Sequence, residues 1–375
     1  MLKFQGWKKK ILAAMTATAL SVSLSFGAPA KVEAASAIDI IGTGISIGLQ
    51  AAQLKAQIDA NVRHYNETEA GSQELYNNFR EKCGVNNDPT YNAMLDRIMT
   101  NLTNAVAKND PSIREKPYKY FVTADETLNA WCAMGHVMAV NVGTFKILAN
   151  EDEIAAVVGH EMGHGQKNHS VKAQKKRLQK AVTAAVLGTA VGATIGGGAL
   201  TSLVTDIALT HSVAHGDRKQ ETEADLVGFD YIVDTNYNIG ACAAVMQKFV
   251  EMEGGKRSGF EKFFNPSDHP DSAKRRDAYA KKITEYSGGH VTAKDGVVSV
   301  NKKTFMTVAA SSNMSSTERS YFVMGSLARA YHNGQNKYAA TVQNGTVMLG
   351  NQAIVTPGAG DEDAYTLAER LNSIK

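Results

Sequence analysis

Residues 152–169 constrain this chain more than any other stretch. Ile154, Ala155, Val157 and Val158 demand a helix with a buried side, and Glu151-Asp152-Glu153 supplies the acidic turn that suits a helix N-terminus. The same helix carries His160-Glu161-Met162-Gly163-His164, an H-E-x-x-H motif. At 3.6 residues per turn, positions i and i+4 share a face, so both imidazoles reach one ion. Glu161 lies about 100° around the helix, close enough to a zinc-bound water to act as its base. Zinc would lower the pKa of that water toward neutrality, and Glu161 would pass its proton to a leaving amine. Surface histidines on a helix are the bland alternative, and the buried character of the segment argues against them.

A catalytic zinc takes three protein ligands and keeps a fourth position open. Metzincins use a His six residues past the second motif His. That position is Ser170 here, His169 falls one residue short, and Lys167 replaces the expected Gly. The third ligand is then expected to be a carboxylate on a later helix. Glu221-Thr222-Glu223-Ala224-Asp225 supplies candidates, and Glu221 and Asp225, four apart, share a face. One can ligate the ion while the other holds a ligand His. A solvated acidic face is the usual meaning of such a run, but Ala224 and Val227-Gly228 make this helix one that packs tightly.

Around these two segments the pattern predicts helices over 73–108, broken at Pro89, and over 219–235, 239–252, 273–286, 316–331 and 361–374. Strands are expected over 118–123 and 135–142. Residues 182–209 are nearly uncharged, but Gly196-Gly197-Gly198 divides them and Asp206 sits in the second piece. Pieces of that length read as buried core helices or as an interfacial hairpin in peripheral contact with a membrane. Composition breaks at Gly288-Gly289. Beyond it, Asp295-Gly296 and Asn344-Gly345 are hairpin signals inside a shared D/N-G-x-V-x-apolar pattern, which suggests a weak internal repeat.

Taken together, His160-Glu161-x-Gly163-His164 with His169-Ser170, then Glu221-x-x-Ala224-Asp225-x-x-Gly228, resemble the gluzincin family of the CAAX prenyl proteases and the heat-shock protease HtpX. Asn129-Ala130 followed by Val137 to Val142 is similar to that family's edge strand. Ser267-x-His269-Pro270 with Arg275 is similar to its H-P-x-x-x-x-R element. The pieces span roughly residues 85 to 285 in the family's order, and the signal-bearing layout is closest to the soluble, exported BepA-like branch. The resemblance implies an α+β, zincin-like domain, mostly helical with a small mixed sheet, hydrolysing peptide bonds in misfolded or misassembled envelope proteins. It implies one Zn2+ on His160, His164 and Glu221, with Asp225 supporting a ligand. It implies Glu161 as base, and His269 and Arg275 as donors to the oxyanion on the open side; in some relatives the His-Pro loop plugs the site instead. Polypeptide substrate would add as a strand along Val137, Met138, Ala139 and Val140. BepA-like proteins carry tetratricopeptide repeats after the protease domain, and no 34-residue helical period follows Tyr286 here. The alternative from another class is an envelope assembly factor or chaperone with a latent zinc site.

The expected organisation is a signal peptide over 1–34, a metallopeptidase domain over 35–287 and a small C-terminal α/β module over 288–375. Lys3 and Lys8-Lys9-Lys10, the apolar run 11–26 and small residues near Ala34 point to the first of these, and with it to an exported location in the periplasm or envelope. Cleavage after Ala34 would remove five Lys and one Glu, turning a formal charge of +3 into 35 basic against 36 acidic residues, so nothing calls for a nucleic-acid partner. Three cysteines, Cys83, Cys132 and Cys242, are too few for a disulfide scaffold and are expected to be buried small hydrophobes, with one bridged pair as the alternative.

Overall fold

The computed structural model describes residues 52–190, 218–254 and 271–375, apart from 54, 57 and 149. These all belong to one unit, Ala51–Lys375. The expected signal peptide, Gly196-Gly197-Gly198 with the rest of the apolar stretch beyond residue 190, and His269 lie outside the described residues.

After a helical stretch over 58–67 come α1 (Glu69–Cys83) and α2 (Pro89–Asn109). Pro89 opens the second helix rather than merely breaking a longer one: Asp88 caps it, and proline at the first position loses only an N–H that had no partner. Three strands follow, β1 (Lys119–Thr123), β2 (Ala130–Cys132) and β3 (Val137–Asn141), in the order β1-β3-β2. β3 runs parallel to β1 and antiparallel to β2, so the sheet is mixed. This corrects the expectation that Val137, Met138, Ala139 and Val140 form a free edge. They are paired on both sides, and β1 and β2 are the two edges, β2 being the one beside the motif helix.

The alternation of side chains places a layer on each sheet face. Phe121, Trp131, Val137 and Ala139 pack with Ile58, Val62, Leu75 and Phe79. Val122, Ala130, Met138 and Val140 pack with α2 and the motif helix in the main core. A short helix α3 (Val142–Ile147) leads to α4 (Glu151–Gln166), the motif helix, capped by Asn150. It ends sooner than the pattern suggested: Asn168 takes a left-handed φ of 52°, and a new helix α5 (His169–Ala190) starts at His169. Then come α6 (Arg218–Val233), α7 (Ala241–Glu253) and α8 (Ser272–Tyr286).

The C-terminal part is a duplication. Strands β4 (Val291–Lys294), β5 (Val297–Val300) and β6 (Lys303–Thr307) form an antiparallel meander followed by α9 (Ser316–His332). Strands β7 (Ala340–Gln343), β8 (Thr346–Leu349) and β9 (Gln352–Val355) form another, followed by α10 (Ala364–Ile374). Each strand starts 49 positions after its counterpart, and each meander carries an irregularity at the matching place, Val298/Ser299 and Val347/Met348. Asp295-Gly296 and Asn344-Gly345 have the left-handed φ angles their hairpins require. The meanders are antiparallel throughout, and each is followed by a helix, which is the small α/β module that the hairpin signals and helical patterns lead one to expect. Their core is not separate. Buried residues from Leu95 to Leu371 form one hydrophobic cluster, with α9 packed on α7 and α8.

Candidate metal centre

α4 and α6 cross at unusually short range because both present small residues at the contact. A Cβ on Gly163 would come within 2.8 Å of the Ala224 carbonyl oxygen, and one on Gly228 within 2.8 Å of the Gly159 oxygen and 2.9 Å of the His160 nitrogen. That approach sets Glu221 opposite the two motif histidines. His164 Nε2 and His160 Nε2 are 3.0 Å apart, and Glu221 lies 3.5 Å from the first-motif His160 Nε2 and 3.3 Å from His164 Nε2. All three side chains are buried, and their donor atoms lie within 4.8 Å of one another.

The electrostatics ask for a cation at that point. Two imidazole nitrogens 3.0 Å apart cannot both be protonated. Burial and Arg275 push His160 down, but its bonds to Asp225 and Glu221 outweigh them and lift it to about 9. Burial takes His164 down to about 3. Two nitrogens and a carboxylate around one positive charge is the donor set of a catalytic zinc site, and it leaves a fourth position for substrate.

Behind His160, Nδ1 meets Asp225 at 2.9 Å. Burial raises the Asp225 carboxyl, but Arg275 and His160 hold it well below the usual carboxylate range. Arg275 donates from Nε at 2.8 Å and from Nη2 at 2.6 Å, and the Tyr279 hydroxyl donates at 2.7 Å. Arg275 Nη1 also stands 3.3 Å from Glu221. The guanidinium thus braces Asp225 and Glu221 on the ligand helix. Tyr279 went unnoticed in the sequence, although it lies four residues past Arg275 on the same helix face.

Glu161 is fully buried, and neither carboxylate oxygen has a hydrogen-bond partner among the described residues. Burial lifts its carboxyl to about 8; His160 opposes this and Glu221 adds to it. Beside it opens a pocket walled by Leu128, Ala156, Val157, Val245, Met246 and Phe249. Asn129 and Ala130 form the rim where β2 begins. Asn129 and Asn141, and Ala133 and Val137, sit at the bonded positions of the β2–β3 ladder, so Ala130 turns its N–H and C=O outward. The cysteines are all free, and burial raises the Cys132 and Cys242 thiols.

A family model described as "Peptidase family M48" matches residues 89–282, more than half of the chain. The chain belongs to peptidase family M48. Among its M48 relatives, it is 26% identical over 184 residues to the metalloprotease LoiP of Escherichia coli, covering 49% of this chain and 69% of LoiP. It is 26% identical over 234 residues to the mitochondrial metalloendopeptidase OMA1 of Schizosaccharomyces pombe, covering 60% of this chain and 64% of that protein. It is 25% identical over 167 residues to a putative beta-barrel assembly-enhancing protease of Vibrio cholerae, covering 43% of this chain but only 33% of that protein. As an M48 member, the chain is a metalloendopeptidase of the BepA-like branch. No described helix is long and apolar enough to cross a membrane.

Proposed function

We propose that this metalloendopeptidase uses one zinc ion on His160, His164 and Glu221 to hydrolyse internal bonds of misfolded or misassembled polypeptides of the cell envelope. The observation that carries the reading is the convergence of two Nε2 atoms and a carboxylate within 3.0 to 3.5 Å beside a buried, unpartnered Glu161. Zinc held there supplies Lewis-acid polarisation to the oxygens brought to it. Glu161 carries the proton: its carboxylate takes one from the attacking water and gives it to the leaving amine nitrogen. Asp225, fixed by Arg275 and Tyr279, holds His160 with its Nε2 toward the ion.

An extended peptide would pair with the outward backbone groups of Ala130 on β2, and not with β3. Backbone pairing reads little sequence, and the apolar pocket beside Glu161 accepts a hydrophobic side chain of the kind that unfolded chains expose. The name of the Vibrio relative supports an envelope setting, and the N-terminal sequence supports export. His269 is assigned to the open side of the site on the strength of the family resemblance.

Glu161→Gln should retain zinc and lower casein cleavage about 10² to 10⁴-fold. Cleavage within twofold of wild type would refute the assignment of the base. Zinc uptake with no chelator-sensitive proteolysis by the wild type would favour the assembly-factor reading.

A further inference from the structure

We propose that His169 and Glu223 form a positioning relay for His164, a role that rests on reading His160, His164 and Glu221 as the zinc ligands. His169 Nδ1 lies 2.9 Å from His164 Nδ1, and His169 Nε2 lies 3.1 Å from Glu223 Oε2. The two rings stand edge to face, with centroids 4.9 Å apart at 75°. Only one direction of donation satisfies this chain. A ligand His164 offers its Nε2 lone pair to the ion, so its N–H is on Nδ1. That N–H donates to His169 Nδ1, and His169 Nε2–H then donates to Glu223.

The arrangement mirrors the support of His160. There the carboxylate of Asp225 touches the ligand ring directly, at 2.9 Å. For His164 the carboxylate stands one imidazole further out. Both ligand rings are therefore oriented by an acidic group, and such partners typically matter by about 10- to 100-fold in metal affinity. The two carboxylates of Glu221-Thr222-Glu223 divide the work: one meets the ion, and the other reaches a ligand through His169.

The backbone shows how His169 arrives. In an unbroken helix, a residue five positions on would point about 140° away from His164. The chain leaves α4 at Lys167, passes through left-handed Asn168 and begins α5 at His169, which turns the ring back. Ser170 Oγ donates to the Cys132 carbonyl at 2.5 Å and ties this corner to β2. His169 is buried while the Glu223 side chain is 45% exposed, so the relay runs from the ion to the surface.

Zinc affinity, measured on the full chain by competition with a chromophoric chelator, tests the relay without any protease assay. His169→Ala should bind zinc about 10- to 100-fold more weakly, and Glu223→Ala more weakly by a smaller factor. The double variant should be no weaker than His169→Ala alone, because Glu223 acts only through His169. Folded His169→Ala with affinity within twofold of wild type overturns the proposal, as do losses that add in the double variant. Should His169→Ala fail to fold, Glu223→Ala at its exposed position decides alone, and unchanged affinity overturns the relay. A wild-type chain that takes up no zinc overturns both this proposal and the metal reading. Tight zinc binding without peptide cleavage overturns only the peptidase reading.

Discussion

His136 shows how much the fold asks of one residue. It sits in the turn between β2 and β3 with a left-handed φ of 54°, its ring stacked on Tyr118 at 4.4 Å and its Nδ1–H given to the Lys116 carbonyl at 2.9 Å. Burial, with the Lys116 charge beside it, pushes the ring down to about 4. In the unfolded chain it titrates near 6.5, so between about pH 6.5 and 4 the unfolded state takes up a proton that the folded state refuses. Stability is therefore lost as pH falls through that window, by up to about 3 kcal/mol from this group. His136→Asn keeps a residue tolerant of left-handed backbone and removes the titration. Urea unfolding in the presence of a chelator should show a flatter decline from pH 6.5 to 4 in the variant. Parallel declines in the two proteins would contradict it.

Helix against helix, the metal site depends on Gly159, Gly163, Ala224 and Gly228 more than on any ligand's own conformation. Gly228→Ala adds one methyl where the His160 backbone already stands 2.9 Å away, so α4 and α6 must separate and Glu221 must withdraw. We expect zinc affinity to fall about tenfold or more, as for disrupted ligand support, with helix content unchanged; an unaltered dissociation constant would refute this account of the helix contact. At the strand scale, Ala130→Pro removes the outward N–H and leaves the bonds of β2 to β3 intact. Peptide hydrolysis should drop through KM with zinc content unchanged. Equal kcat/KM values would show that substrate does not pair with this edge.

Across the whole molecule, Lys248 on α7 joins parts that are distant in sequence. It is fully buried, with Glu153 of the motif helix at 3.1 Å and Glu318 of α9 at 3.9 Å. Glu318 also closes the capping box of α9 with Ser315. The duplicated C-terminal part thus supports α7, which walls the apolar pocket, and α7 in turn supports the N-terminal turn of α4. Truncation after Ser287 should remove the cooperative thermal transition and lower zinc uptake along with it. Lys248→Met, which strips two buried carboxylates of their cation, should cost about 3 to 5 kcal/mol. A truncated chain that melts sharply and binds zinc as the full chain does would show residues 288–375 to be an independent appendage.

Much of the site was legible in the residues alone. The spacing of His160 and His164 is helix geometry, and a carboxylate on a later helix followed from the absence of a third His at position 170. Helices and hairpin turns were legible for the same reason: periodicity, caps and left-handed Gly or Asn are local properties. Strand order was not, because alternation assigns each residue a sheet face but names no neighbour, and so nothing local places β3 between β1 and β2 or leaves β2 as the edge beside α4. The break at Gly288-Gly289 marked a change in composition, while the core ran across it. His169 stood in plain view, but its contact with His164 depends on a helix break at Asn168 that the apolar pattern ran straight through, and on α6 bringing Glu223 alongside. Local sequence sets which atoms are available to a metal; the close crossing of α4 and α6 sets which of them meet.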